Sequence, residues 1–126
     1  MTKSLAVAAF ATLVLAAPAQ VQALTALTLI NGWTNAPFGT SPAQVEAVSN
    51  IVRFKGAIAT AGANPTPFIL PLAFRPAKNV YVPIDLCNAT NGRLFIQPNG
   101  VVTVQAETSF SNAQCFTSLE GTSFVR

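Results

Sequence analysis

Proline spacing is the feature that most limits how this chain can fold. After residue 30, proline recurs eight times, at positions 37, 42, 65, 67, 71, 76, 83 and 98. Proline lacks a backbone N–H and clashes with the preceding helical turn, so it prevents helices from propagating. No hydrophobic repeat of helical period runs through the segments between these prolines. The sequence therefore predicts an all-β chain.

Short β-rich runs lie between the turn residues. We predict a first strand or a tether at 24–30, and strands at 45–48, 51–60, 68–70, 79–87, 93–97, 101–106 and 115–125. Asn91-Gly92 and Pro98-Asn99-Gly100 have the composition of hairpin turns. About seven strands at this spacing predict an antiparallel β-sandwich or small barrel of jelly-roll type.

Two of these runs alternate clearly between apolar and polar side chains, as half-buried strands do. In the 51–60 run, Gly56 shares one face with Val52, Phe54 and Ile58, and the other face holds Arg53, Lys55 and Ala57. In the 79–87 run, the apolar face is Val80, Val82, Ile84 and Leu86, and the opposite face is Tyr81, Pro83 and Asp85. Because Pro83 has no N–H to donate, its strand is predicted to be an edge strand or to carry a bulge.

Residues 1–23 have the build of a secretory signal peptide. Lys3 supplies a basic start, residues 5–17 form an uncharged apolar run, and Val21-Gln22-Ala23 ends in a small residue suited to cleavage. Ala17-Pro18-Ala19 offers a second site of the same chemistry. As a helix the apolar run would reach about 20 Å, too short for a bilayer core of about 30 Å.

These features predict cleavage after Ala23 or Ala19 and one all-β domain at 24–126. That mature chain contains no stretch of membrane-spanning length. The expected location is therefore secreted or periplasmic.

Cys87 and Cys115 are the two cysteines of the sequence. Export exposes a chain to oxidising conditions, where an even cysteine count indicates a disulfide. Closing this loop would stabilise the fold by roughly 3.5 kcal/mol through the entropy of the unfolded chain. Two separate buried thiols are the alternative. A redox pair is not expected because CxxC spacing is absent.

Charges are sparse and scattered. Seven Lys/Arg and four Asp/Glu make up 9% of the residues, and the formal net charge is +3. Nucleic-acid binders concentrate basic side chains on one face to neutralise several phosphates together. No such concentration appears here, so nucleic acid is not an expected partner.

Histidine is absent, which excludes Ser-His and Cys-His catalysis and histidine metal sites. Two sulfurs without histidine do not complete a zinc site. No glycine-rich phosphate loop suggests a cofactor. The acids are Glu46, Asp85, Glu107 and Glu120, and no local spacing pairs them. The sequence predicts a non-catalytic protein without metal or cofactor; a hydrolase that uses two of these carboxylates across a glycosidic bond is the alternative.

Three side chains are candidates for ligand binding: Trp33, Tyr81 and Arg93. Aromatic rings and planar guanidinium groups suit sugars and flat polar surfaces. The alternative for Trp33 is packing of the N-terminal segment over the sheet, and Tyr81 and Arg93 would otherwise cover the outer face of their strands. Asn88-Ala89-Thr90 also forms an N-glycosylation sequon in a predicted turn.

The order of short motifs from Asn31 to the end resembles a known family. The motifs are Gly32-Trp33-x-Asn35, Pro37-Phe38, Val52-x-Phe54-x-Gly56-x-Ile58, Phe68-x-Leu70-Pro71, Phe74-Arg75-Pro76, Gly92-Arg93-Leu94, Pro98-Asn99-Gly100 and Ser118-Leu119-Glu120-Gly121-x-Ser123-Phe124. Together they resemble the small C-terminal β-domain of phage tail and head-fibre receptor-binding proteins, here as a stand-alone secreted copy. The resemblance implies an antiparallel sandwich or barrel, often trimeric, that contacts surfaces or glycans.

These observations lead to two expectations for function. The first is a secreted, non-catalytic binding module for a carbohydrate or a cell-surface partner, associating with copies of itself as the resemblance implies. The alternative is a structural or assembly protein of the envelope or extracellular matrix, in which the sheet packs against other copies.

Overall fold

The computed structural model describes residues 20–126, so most of the predicted signal peptide, residues 1–19, lies outside the described residues. In this part of the chain eleven short strands and one short helix follow one another. They are β1 (Val21–Ala26), β2 (Trp33–Asn35), β3 (Gln44–Val48), β4 (Ile51–Lys55), β5 (Ala57–Thr60), β6 (Phe68–Ile69), β7 (Val80–Leu86), β8 (Thr90–Ile96), β9 (Val101–Ala106), α1 (Phe110–Cys115), β10 (Thr117–Ser118) and β11 (Ser123–Val125).

The strands form two antiparallel sheets, which confirms the predicted fold class. One sheet has four strands in the order β1-β3-β4-β11. The other has seven, in the order β2-β5-β10-β7-β8-β9-β6, and curls into a half-barrel. The strand count exceeds the predicted seven for two reasons. Several predicted runs are divided, and β2 and β10, at three and two residues, are too short to be predicted as separate strands.

The core lies between the two sheets. Val45 and Ala47 of β3 and Val52 of β4 point inward from the smaller sheet and are fully buried. Phe54 of β4 packs against Phe68 of β6, with ring centres 6.0 Å apart, so aromatic contact joins the two layers. Burying such apolar side chains is the main favourable contribution to folding.

The chain crosses from one sheet to the other at Gly56. The sequence predicts one strand over 51–60, but Gly56 adopts a φ of +96° and separates β4 from β5. A Cβ on Gly56 would lie 2.5 Å from the carbonyl oxygen of Ser41, so this position requires glycine. The prediction that Ala57 shares an outer face with Arg53 and Lys55 is wrong: beyond Gly56 both sides of β5 are covered, so Ala57 is buried as well as Ile58.

One predicted hairpin turn is confirmed and the other is displaced. Pro98-Asn99-Gly100 joins β8 to β9, and Gly100 N donates to Gln97 O at 2.8 Å. Asn91-Gly92, in contrast, lies inside β8. The turn between β7 and β8 is Cys87–Ala89, in which Asn88 and Ala89 take left-handed φ values of 62° and 58°.

Gly92 is retained within β8 for steric reasons. An added Cβ would come within 2.7 Å of both Leu86 Cδ1 and Gln105 O. The glycine therefore allows close strand packing and does not form a turn.

The sequon residue Asn88 is exposed in the Cys87–Ala89 turn.

The predicted strand over 115–125 is also wrong in detail. Cys115 ends α1, and the chain after it forms the short strands β10 and β11. Ser109 begins the helix, since its side-chain oxygen accepts a hydrogen bond from Ser111 N.

Among the described residues, no helix combines the length and the apolarity needed to cross a membrane.

Candidate functional site

A disulfide joins Cys87 to Cys115, as the cysteine count predicted. Their Cα atoms are 5.6 Å apart, within the usual range for a bridged pair. The bond links the turn between β7 and β8 to the C-terminal end of α1. Disulfides persist in oxidising compartments, so this bond is consistent with a protein that works outside the reducing cytoplasm.

Trp33 does not lie on the surface. Its side chain is only 4% exposed, and its ring meets Phe110 edge-on, with ring centres 6.4 Å apart. The indole Nε1 donates a hydrogen bond to Asn64 O at 2.8 Å. The packing alternative therefore describes Trp33, and this residue is not available to a ligand.

Tyr81 and Arg93, by contrast, lie together on the outer face of the seven-stranded sheet. Directly opposite residues of β7, β8 and β9 form three rows across this face. We call these nine residues the outer platform. They are Tyr81, Phe95 and Thr103 in the first row, Pro83, Arg93 and Gln105 in the second, and Asp85, Asn91 and Glu107 in the third.

Aromatic and planar groups gather at the end of the platform near Tyr81. The rings of Tyr81 and Phe95 stack with centres 4.8 Å apart and planes 15° apart. The guanidinium carbon of Arg93 lies 4.7 Å from the centre of the Tyr81 ring. Arg93 Nε also donates to Gln105 Oε1 at 2.7 Å, which fixes the direction of the guanidinium group. Such contacts orient flat groups before any ligand arrives.

Tyr81 remains accessible to solvent although two groups pack against its ring. Phe95 and Arg93 both belong to β8, on one side of β7. On the other side β10 pairs with β7 only at Leu86, so no strand is hydrogen-bonded to β7 beside Tyr81 or Pro83 there. Tyr81 is accordingly 55% exposed. Pro83, predicted to lie at an edge, has a paired strand on one side only, which suits a residue without an N–H.

Polar groups gather at the opposite end of the platform. Asp85, Asn91 and Glu107 are exposed, and Asn91 Nδ2 lies 3.5 Å from Glu107 Oε1. Asp85 and Glu107 are two strands apart, which places their backbones about 10 Å from each other. Both carboxylates project from the same open face of the sheet, whereas glycosidase carboxylates face each other across the scissile bond. The row therefore offers hydrogen-bond acceptors and an amide, as a ligand's hydroxyl groups require.

The other two acids lie outside the three platform rows, although Glu120 lines the groove beside β7 together with Asp85. Glu46 forms an ion pair with Arg53 at 3.2 Å on the four-stranded sheet. Glu120 lies 3.7 Å from Lys55 and also accepts a hydrogen bond from Gly56 N. Each therefore has a local structural partner. Within residues 20–126, no three His, Cys, Asp or Glu side chains cluster as a metal site would need.

Shallow hollows lie along this face. One, of about 500 Å³, is lined by Asn91, Gly92, Arg93, Gln105, Ala106 and Glu107. A second, of about 510 Å³, runs between β7 and the segment 118–123. Both are open depressions of a size suited to a small ligand.

Sequence reasoning identified Tyr81 and Arg93 but not their neighbours. Phe95 and Gln105 belong to the platform only because of how the strands pair, which the sequence did not reveal. The available signal was the alternation along β8, which places Asn91, Arg93 and Phe95 on one face. No protein-family model, curated protein or solved structure matches this chain.

Proposed function

We propose that this protein is an exported, non-catalytic binding module for carbohydrate and that the ligand lies on the outer platform. The observation that carries this proposal is the cluster of Tyr81, Phe95 and Arg93, in which Tyr81 is 55% exposed. Sugar rings present an apolar C–H face and a rim of hydroxyl groups. An exposed aromatic ring beside amide, guanidinium and carboxylate groups complements both features.

The chemistry of the platform favours binding over catalysis. Its two carboxylates, Asp85 and Glu107, flank the Asn91 amide on one open face, whereas carboxylate catalysis depends on two groups that face each other across the scissile bond. The disulfide supports export, since it stabilises proteins in oxidising compartments. The resemblance to phage-fibre domains points in the same direction, because it implies contact with glycans or surfaces.

The test is a glycan array followed by titration calorimetry on the best binder. We expect Tyr81→Ala and Arg93→Ala each to weaken binding at least fivefold, because they remove the exposed aromatic ring and its oriented guanidinium group. Leu72→Ala is the matched control, since Leu72 is exposed, apolar and outside the platform. Binding to no glycan, or equal affinity in all four proteins, would refute the proposal. Release of a cleaved sugar would instead identify a hydrolase.

A specific observation favours self-assembly as a second function. Four exposed apolar side chains form one row across the whole four-stranded sheet. They are Val21 of β1, Val48 of β3, Ile51 of β4 and Val125 of β11, each directly opposite the next. Beside this row lies the Arg53–Glu46 ion pair. A patch that carries both charge signs beside an apolar row is self-complementary under two-fold rotation, so a second copy of the chain is the partner it fits.

Light scattering after size exclusion tests this second function. We expect the unaltered protein to self-associate and Ile51→Lys to shift it to the monomer, because a charge would be placed in the apolar contact. Ile69→Lys is the control: Ile69 is also 48% exposed but lies on β6 of the other sheet. A monomeric unaltered protein, or an equal effect of both variants, would exclude assembly through this row.

A further inference from the structure

A second aromatic pair lies on the same outer face as the platform. Thr117 of β10 pairs with Leu86 of β7, and both are buried. Because side chains alternate along extended chain, the preceding residue Phe116 points to the outer face. Phe38 packs on it edge-on, with ring centres 5.9 Å apart. The Phe38–Phe116 pair therefore lies on the same outer face of the sheet as Tyr81.

Phe38 is held in an unusual exposed position. Its side chain is 77% exposed, and its φ is +57°, in the left-handed region that bulky residues avoid. The surrounding chain fixes this turn, since Ala36 N donates to Ala57 O at 3.0 Å and Thr40 Oγ1 donates to Pro37 O at 2.6 Å. Holding such a residue costs about 1–3 kcal/mol, and strain of this kind collects at ligand sites.

The aromatic pair is connected to the platform through shared residues. A hollow of about 310 Å³ beside Phe38 and Phe116 is also lined by Asp85. Asp85 lines the groove beside β7 as well, and that groove shares Asn91 with the platform hollow. Tyr81 and Asp85 are four residues apart on one strand, so about 13 Å of β7 separates the two aromatic ends. A single sugar ring does not cover this path.

We propose that the outer platform and the three hollows together form one binding surface for an uncharged, linear oligosaccharide, with one sugar at Tyr81 and another on the Phe38–Phe116 pair. This inference rests on the proposed carbohydrate-binding function. Asp85 lies where two of the three hollows meet, exposed and without an ion-pair partner among the described residues. A polyanionic chain such as a uronate polymer would be repelled there, which is why the expected ligand is uncharged.

Calorimetric titration with chain-length series of cello-, chito- and manno-oligosaccharides, from one to six units, tests the proposal. We expect affinity to increase with length in one series. Phe38→Ala should weaken the longest chain at least fivefold and leave the shortest binder unchanged, because only the long chain reaches Phe38. Tyr81→Ala should weaken both. Phe38→Tyr keeps the ring and should retain the affinity of the long chain.

The matched control is Leu72→Ala, which removes a 79% exposed apolar side chain from the short 3-10 turn Leu72–Phe74; Leu72 lines none of the three hollows. Thermal melts of every variant establish that it is folded. Three results would overturn the extended site: affinity independent of chain length, affinity of Phe38→Ala for the longest chain equal to that of the unaltered protein, or binding of uronate chains alone. The proposed function of the platform would still stand if Tyr81→Ala weakened binding. No binding in any series, or binding insensitive to Tyr81→Ala, would remove the proposed function as well.

Discussion

Removing the disulfide gives the sharpest test of how this fold is stabilised. Replacing Cys87 and Cys115 with serine opens a loop that spans a sequence separation of 28 residues. The entropy gained by the unfolded chain amounts to about 3.5 kcal/mol. Cys87 is half-buried and Cys115 is exposed, so water can solvate the serine hydroxyl groups. The loss therefore arises mainly in the unfolded state.

The expected change in melting temperature follows from the size of the folded part. For roughly a hundred residues the unfolding entropy is about 0.2 kcal/mol/K, so the double variant should melt roughly 15 °C lower. Circular dichroism melts of the unaltered protein, the reduced protein and the double variant measure this. Reduction should bring the unaltered protein to the melting temperature of the variant and leave the variant unchanged.

The effect also has a location. The bond holds the end of α1 against the Cys87–Ala89 turn. Loss of the bond should therefore accelerate amide hydrogen exchange in α1 more than in β3 and β4. A fall in melting temperature of less than about 5 °C, or a second drop when the variant itself is reduced, would refute the reasoning.

Two further predictions concern Gly92 and the N-terminus. Gly92→Ala should lower the free energy of unfolding, measured by urea titration, by about 1–3 kcal/mol, because the added Cβ would collide with Leu86 and Gln105 O. Gly62→Ala is the control, since its Cβ would make only ordinary van der Waals contacts. Equal effects of the two substitutions would contradict this prediction. With its own leader in a secreting host, the chain should be cleaved after Ala19, because cleavage after Ala23 would remove Val21 and Gln22 from β1. Intact mass distinguishes the two products.

The sequence pattern correctly predicted strands that have one buried and one exposed face. The alternation from Val80 to Leu86 gave β7 and its buried face correctly, because one side of that strand meets the core. The Pro98-Asn99-Gly100 turn was also predictable, since its glycine takes a φ of +91° that few other residues tolerate.

What sequence could not predict depends on contacts between distant segments. Asn91-Gly92 has turn composition, yet neighbouring strands press so closely on Gly92 that only glycine fits within β8. The turn instead occurs at Asn88 and Ala89, held by the disulfide beside them. The short helix α1 escaped notice because six residues are too few for a helical period to show.

The candidate site was predictable only in part, for the same reason. Tyr81 and Arg93 stood out by residue type, but their contact depends on the register of β7 against β8. Trp33 stood out equally and is buried, because Phe110 and the Asn64 carbonyl, both far away in sequence, cover it. Residue type alone did not separate a buried aromatic side chain from an exposed one.

The crossing at Gly56 has a mechanical consequence. One residue separates β4 of the smaller sheet from β5 of the larger one, and Ala57 N binds Ser41 O at 3.0 Å beside it. No slack loop is present at this point to absorb displacement. A force that pulls one layer is therefore transmitted directly into the other, and we expect the two layers to rupture under tension together.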